Sequence, residues 1–252
     1  MVKCIAWNIR AGGGVRSERI VSYLSRQQPD LIALSEFRGT PPSCAIAEAL
    51  AAKGYNFQRT TACRRNSAVN ALLVASRWPL RCISLRHAPD NAYRWLAVNV
   101  AAPEPFGVIA LHVPNRSTGL KYPFQQSVVN VLERWRGLPV IVMGDTNSGK
   151  IHLDEETRTF NRTEHLWLES IEALGWCDAF RLQNPHGREY TWYSPNGRNG
   201  FRLDQMFVHP SLVPRVIDFQ HHWADASHER LEELSDHAAM ILEFESKLAC
   251  TD

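Results

Sequence analysis

Polar residues stand where apolar runs begin or end. Asn8 follows Cys4-Ile5-Ala6-Trp7, Glu36 follows Leu31 to Leu34, and His112 follows Val108 to Leu111. Asp145 and Asn147 follow Val140 to Met143, Asp204 precedes Met206 to Val208, and Asp236-His237 precede Ala238 to Phe244. Ends of buried strands are rigid and open onto free loops, which is where α/β proteins gather ligands and chemistry. Glu36 and Asp236 are hard oxygen donors and Asn8 adds a neutral one. Magnesium is held by such a set, with waters and a phosphate completing its octahedron, and manganese, which takes the same donors, can substitute. Asp145 beside Asn147 offers a base for water and an amide donor for a phosphate oxygen. His237 is in reach of the same phosphate, with Asp204 to fix its tautomer. Zinc fits less well, because no His-Glu-x-x-His motif or Cys/His cluster is present. Taken singly each residue has an ordinary explanation: Gly144-Asp145-Thr146-Asn147 is good turn chemistry, and Asp204 could pair with neighbouring Arg202. Only as a set do they describe a metal-assisted attack of water on a phosphate.

The elements that must position this set are short apolar strands alternating with helices. Strands are expected at Lys3 to Asn8, Leu31 to Leu34, Asn70 to Ser76, Tyr93 to Val100, Gly107 to His112 and Pro139 to Met143. Helices are expected from Ser17, as cap, to Gln27, over Cys44 to Ala52, over Tyr122 to Trp135 and over Glu164 to Leu174. The last third is strand-rich, with runs at Tyr190 to Tyr193, Phe201 to Val208, Val213 to Gln220 and Ala238 to Phe244. Strands buried on both faces and alternating with helices imply stacked sheets covered by helices. No repeat, low-complexity tract or linker divides residues 1–252, so one domain is expected.

Composition narrows the classes. The apolar fraction of 44% suits a globular core, and no run approaches the roughly eighteen apolar residues of a membrane span. The N-terminus turns polar at Asn8, too soon for a signal peptide, so a cytoplasmic protein, monomeric by default, is expected. The six cysteines are scattered without a Cys-x-x-Cys pair and read as free thiols. A net charge of +2 gives no global basic signature, so an anionic partner must be held by local patches.

In order along the chain, Trp7-Asn8-Ile9-Arg10, Leu34-Ser35-Glu36, Gly144-Asp145-Thr146-Asn147, Phe201-Arg202-Leu203-Asp204 and Ser235-Asp236-His237 resemble the successive motifs of the endonuclease/exonuclease/phosphatase superfamily. The segments Asn70 to Arg77, Leu111 to Asn115 and Asp178 to Arg181 match as well, so the likeness spans the chain. Within the superfamily, Lys121-Tyr122-Pro123-Phe124, Tyr190 to Ser194 and Asn199 to Asp204 look most like the exonuclease III and abasic-site endonuclease branch. The resemblance implies an α/β fold, a four-layer α-β-β-α sandwich of two mixed sheets. It implies magnesium-dependent hydrolysis of DNA phosphodiesters, endo- or exonucleolytic. It makes Glu36 the principal metal ligand, supported by Asn8 and Asp236. Asp145 becomes the base, Asn147 and His237 the phosphate ligands, with Asp204 paired to His237. Asn115 and Asn70 are assigned to the phosphate pocket.

The chain departs from that branch at His112, where the branch has tyrosine and pancreatic-type deoxyribonucleases have a histidine near the leaving group. Two roles stay open for it: acid to the leaving oxygen, or a loop and phosphate contact. Basic clusters at Arg10 to Arg16, Arg64-Arg65 and Arg198 to Arg202 flank the motifs, where they can track a phosphate backbone or simply be solvated. Trp192 and Phe201 match pocket positions of the branch, suited to a flipped sugar or base. The alternative substrates are inositol phosphates, lipids or small nucleotides; inositol phosphatases of the superfamily carry a Trp-Cys-Asp-Arg run where this chain has Phe201 to Asp204. A catalytically dead binding module is the other alternative, and the filled catalytic positions oppose it.

Overall fold

In the computed structural model, which describes residues 1–196, 198–224 and 234–246, the apolar strands build two six-stranded sheets. The first contains β1 (Val2–Asn8), β2 (Leu31–Phe37), β3 (Phe57–Thr60), β4 (Ala71–Ser76), β13 (Val216–His222) and β14 (Ala239–Phe244), in spatial order β13-β14-β1-β2-β4-β3. The second contains β5 (Leu80–Cys82), β6 (Trp95–Val100), β7 (Phe106–His112), β8 (Val140–Asp145), β9 (Cys177–Asp178) and β12 (Asp204–Val208), in order β5-β6-β7-β8-β12-β9. A short ribbon joins β10 (Trp192–Tyr193) to β11 (Gly200–Phe201). Each large sheet is mixed, with one parallel pair, β1–β2 and β7–β8 respectively.

Side-chain alternation explains the layering. On β1, Val2, Cys4 and Ala6 enter the core between the sheets while Ile5 and Trp7 face outward. On β7, Phe106, Val108 and Ala110 point inward while Ile109 and Leu111 point outward. A strand buried on both faces needs an outer cover. On the first sheet this is α1 (Ser17–Gln27), through Ile20, Tyr23 and Leu24, together with α2 (Pro41–Ala52), through Ile46 and Leu50. On the second sheet it is α3 (Lys121–Glu133), through Phe124, Val128 and Leu132, together with α4 (Arg162–Ala173), through Trp167, Leu168 and Ile171. The result is the expected α-β-β-α sandwich. No helix among the described residues is long and apolar enough to cross a membrane. Five cysteines are free, and Cys250 lies outside the described residues.

Three local expectations are corrected. Ser17 is the first residue of α1, and its hydroxyl caps nothing; the cap position is Arg16. The run 213–220 begins as a 3-10 turn, Pro210–Arg215, and becomes strand only at Val216. The run 201–208 is not one strand. It breaks between β11 and β12, where Thr191 Oγ1 takes the amides of Leu203 and Asp204.

At that break Arg202 is fully buried, and its partners are not Asp204 but Asp154 (Nε–Oδ1 2.8 Å) and Asp178 (Nη2–Oδ2 2.6 Å). Arg181, just after the start of α5 (Ala179–Gln183), also pairs with Asp154. Removing one member of a buried ion network leaves the others uncompensated, at a cost of about 3–5 kcal/mol. Arg202→Leu should therefore lower the urea midpoint by that amount of stability with an unchanged m-value. A loss below about 1 kcal/mol would mean that the network contributes little.

Candidate active site

Strand register brings the chemistry together. In the second sheet His112 pairs with Asp145 across β7–β8, and Asp145 pairs with Asp204 across β8–β12, so the three stand in one row. Close approach of β7 and β8 there depends on Gly144, whose φ is +140° and where a Cβ would lie 2.0 Å from the Leu111 carbonyl oxygen. In the first sheet Asn8 pairs with Ser35, and the next residue of β2, Glu36, is a bulge between Ser35↔Leu72 and Phe37↔Ala71. Its φ of +56° is strained for a residue with a Cβ, and bulges of this kind re-aim side chains beside active sites. The Ala11 amide fixes one Glu36 oxygen at 2.7 Å.

The two sheets meet at Asp145. Asn8 Nδ2 donates to Asp145 Oδ2 at 3.0 Å, and the Asn147 amide donates to Asp145 Oδ1 at 2.9 Å. His237 arrives from the first sheet, held by Trp7 Nε1 on its carbonyl at 2.8 Å, and its Nδ1 lies 2.8 Å from Asp204 Oδ2. Asp145, Asp204 and His237 have ligand-type atoms all within 4.8 Å of one another. All are buried. Burial, then the like charge of Asp204, pushes the Asp145 carboxyl up to about 7, against the opposing pull of His237 and the two donors. Burial alone would lower the His237 pKa, but Asp204, with Asp145 and Asp236, lifts it to about 10. The raised pKa favours an imidazolium, a donor that carries positive charge.

His112 Nε2 lies 3.5 Å from Asp145 Oδ2, and its Nδ1 is buried without a partner. Burial, with Arg94 and His237 adding positive charge, holds its pKa well below the usual histidine range. Of the two roles open for His112, this environment disfavours the second ring proton that the acid role needs, while the contact role needs none; the ring stands beside Asp145.

The remaining expected residues divide. Asn147, at φ +47°, is locked by Asn147 Nδ2 on the Val113 carbonyl (2.8 Å) and by Lys121 Nζ on its own carbonyl (2.5 Å). Asn115, Asn147, Trp192, Phe201, Leu203 and Phe160 line a cleft of about 220 Å³. Trp192 also bridges to His237, their rings 6.4 Å apart. Asn70 is not in this cleft; its Oδ1 accepts from Arg38 Nε at 2.7 Å. Arg64 and Arg65 form an exposed 3-10 turn in the loop before β4, outside the cleft. Of the Arg198–Arg202 cluster, Arg202 is buried and unavailable. Sequence reasoning missed Lys121 as the buried support of Asn147, which Glu164 holds from behind. Its only local signature is its place in the Lys-aromatic-Pro segment.

The buried Asp145 carboxyl, the Asp204–His237 pair and an aromatic cleft beside them are thus gathered at one edge of the two-sheet sandwich. Residues 5–237 match the endonuclease/exonuclease/phosphatase family, and the chain belongs to it and so to the hydrolases of phosphoric esters. It is 24% identical over 238 residues to a DNA-(apurinic or apyrimidinic site) endonuclease of Dictyostelium discoideum, covering 85% of this chain and 64% of that protein. The chain thus spans just under two thirds of that relative's length. Two solved structures share the fold at a TM-score of 0.79 each, with 98% of this chain and 100% of each of them covered. One is the 3′ phosphatase NExo from Neisseria bound to a product DNA hairpin, at 21% identity. The other is an AP endonuclease from Archaeoglobus fulgidus, at 19%.

Proposed function

We propose that this chain is a divalent-metal-dependent phosphodiesterase acting on DNA. The observation that carries the reading is the row His112–Asp145–Asp204 closed by His237, beside a cleft floored by Trp192 and Phe201. In this reading Asp145 orients the attacking water and takes its proton, with a pKa near the working pH as a base requires. His237 and Asn147 meet the charge that grows on the phosphate oxygens. The cleft takes a base-less sugar or one unpaired terminal nucleotide, stacked on Trp192 and Phe201. Arg64 and Arg65, exposed before β4, track the backbone.

The residues assigned to the metal fit it. Asp236 Oδ1 is buried with no hydrogen-bond partner, and Glu36 is presented from a strained bulge. Both are hard oxygen donors, suited to magnesium or manganese. Asn8 is already engaged with Asp145 and with the Arg10 amide, so it supports that site chiefly by holding Asp145. When bound, the ion supplies charge neutralisation and polarisation at the phosphate.

The test is purified protein with magnesium against intact, single-stranded, nicked and abasic DNA, RNA and inositol phosphates. Cleavage of DNA, stopped by chelator and restored by magnesium or manganese, is expected. Glu36→Ala and Asp236→Ala should need more magnesium for half-maximal rate. Turnover of inositol phosphates with intact DNA of every form would replace the reading with its alternative.

A further inference from the structure

A groove of about 770 Å³, larger than the cleft beside Asp145, opens on the outer side of the second sheet and takes no part in the chemistry above. One wall continues from β5. The Ile83 amide donates to the Ala97 carbonyl at 2.9 Å, so the chain stays beside β6 while Ile83 and Leu85 pack on the outer apolar cluster. The other wall is the end of α3 and the turn after it. There Trp135 Nε1 donates to the Leu138 carbonyl at 2.8 Å, which fixes the ring. Gly137 lies against that ring, where a Cβ would come within 3.0 Å of Trp135 Cζ2, so the turn puts no side chain over it.

The groove has an apolar floor and a basic rim. Ile83, Leu85, Val131, Trp135 and Leu138 are buried or half-buried, whereas Arg86 on one wall and Arg134 and Arg136 on the other are exposed. No lining residue is acidic. Glu133, next to the rim, pairs with Arg134 at 2.8 Å, but an exposed pair of this kind is weak and readily exchanged. Such a rim favours carboxylates, and such a floor favours one apolar side chain inserted between them. A phosphate backbone would meet the arginines and leave the floor empty. A membrane surface needs apolar side chains that protrude, and none of the exposed large hydrophobics among the described residues lines this groove. A single anionic headgroup would meet the cations of one wall only, whereas a chain with several carboxylates meets both.

We propose that this groove docks an acidic segment of a partner protein, with its carboxylates on Arg86, Arg134 and Arg136 and one apolar anchor side chain against Trp135. Its place in the sheet keeps docking apart from the chemistry. Asn99, in the groove wall, pairs with Gly107 near the start of β7, while His112 ends that strand, about 17 Å away at ~3.4 Å per residue. A partner held there leaves the edge with Asp145 and His237 uncovered, so attachment and turnover can proceed together.

The test is fluorescence anisotropy with a set of fluorescein-labelled peptides, each a run of aspartates ending in leucine, isoleucine, phenylalanine or tryptophan. At least one should bind saturably and more weakly as salt rises. The same peptides with lysine in place of aspartate should not bind. Arg86→Glu/Arg134→Glu should weaken binding by about tenfold or more, because it sets like charges against the peptide. Both side chains are exposed, so that variant should keep the wild-type melting temperature. Leu85→Ser, which leaves the charge unchanged, should also weaken binding about tenfold through the lost apolar contact. A single-stranded oligonucleotide should not displace the peptide. The proposal is overturned if no peptide binds saturably, or if binding is the same in both variants. It is equally overturned if the oligonucleotide displaces the peptide, or if phosphatidylglycerol vesicles retain the wild-type protein and not Arg86→Glu/Arg134→Glu.

Discussion

Asp145→Asn is expected to lower kcat by about 10²–10⁴-fold, the range for a removed general base, while the protein stays folded. The side chain is isosteric, and the hydrogen bond from Asn8 Nδ2 is the contact most disturbed. The pH dependence is sharper than the rate itself. Asp145 must be ionised to take a proton, and burial beside Asp204 pushes its carboxyl up to about 7. Activity should therefore rise as pH increases through about 7 and then level off. Carbon-13 titration of the labelled carboxyl in the metal-free protein reads the Asp145 midpoint without turnover. A midpoint near the ordinary aspartate range of about 4 would mean that Asp145 is not held near neutrality and would remove the pH argument for it as base.

Much of this site was legible in the sequence because its scaffold is built from strands apolar on both faces. Such runs announce themselves without tertiary information, and the polar residue that ends each one is conspicuous. Asn8, Asp145, Asp204 and His237 were found in this way, and the structure brings them together as two hydrogen-bonded pairs, Asn8–Asp145 and Asp204–His237, with ligand atoms of Asp145, Asp204 and His237 within 4.8 Å of one another. What escaped was set by distant partners. β3 and β5 are edge strands, mostly exposed or only three residues long, with no apolar pattern to show. Arg202 sits in a run that reads as strand, and only Asp154 and Asp178, more than twenty residues away, explain why the backbone turns aside to bury it. Glu36 was chosen for its carboxylate, but its bulge and left-handed backbone follow from how β2 pairs with β4. The charge state of His112 was equally out of reach. A histidine at a strand end reads as a titrating group; its burial beside Arg94 and His237 makes it a neutral one. Tyr93 and Arg94, read as the start of a strand, belong instead to the 3-10 turn Ala92–Arg94, and β6 begins only at Trp95.

The second large effect concerns the pair Asp204–His237, and its signature is non-additivity. His237 carries its charge at neutral pH because Asp204 accepts from it at 2.8 Å; burial alone would neutralise it. Asp204→Ala should therefore remove the cation without removing the ring. Both Asp204→Ala and His237→Ala should lose about 10²–10³-fold in kcat, as for a charge-stabilising donor. The double variant should be little slower than either single one, because residues acting as a unit are lost together. Losses that multiply would show two independent roles. Stability gives a second reading of the same pair, with a definite sign. The folded-state pKa of His237, about 10, lies above the ordinary histidine value of about 6.5. Its contribution is then fully present below pH 6.5 and fades as pH rises through 10. The stability gap between wild type and His237→Gln, measured by urea unfolding, should be widest at pH 6 and shrink steadily toward pH 10. A gap that is flat over this range would mean that His237 is neutral in the folded protein.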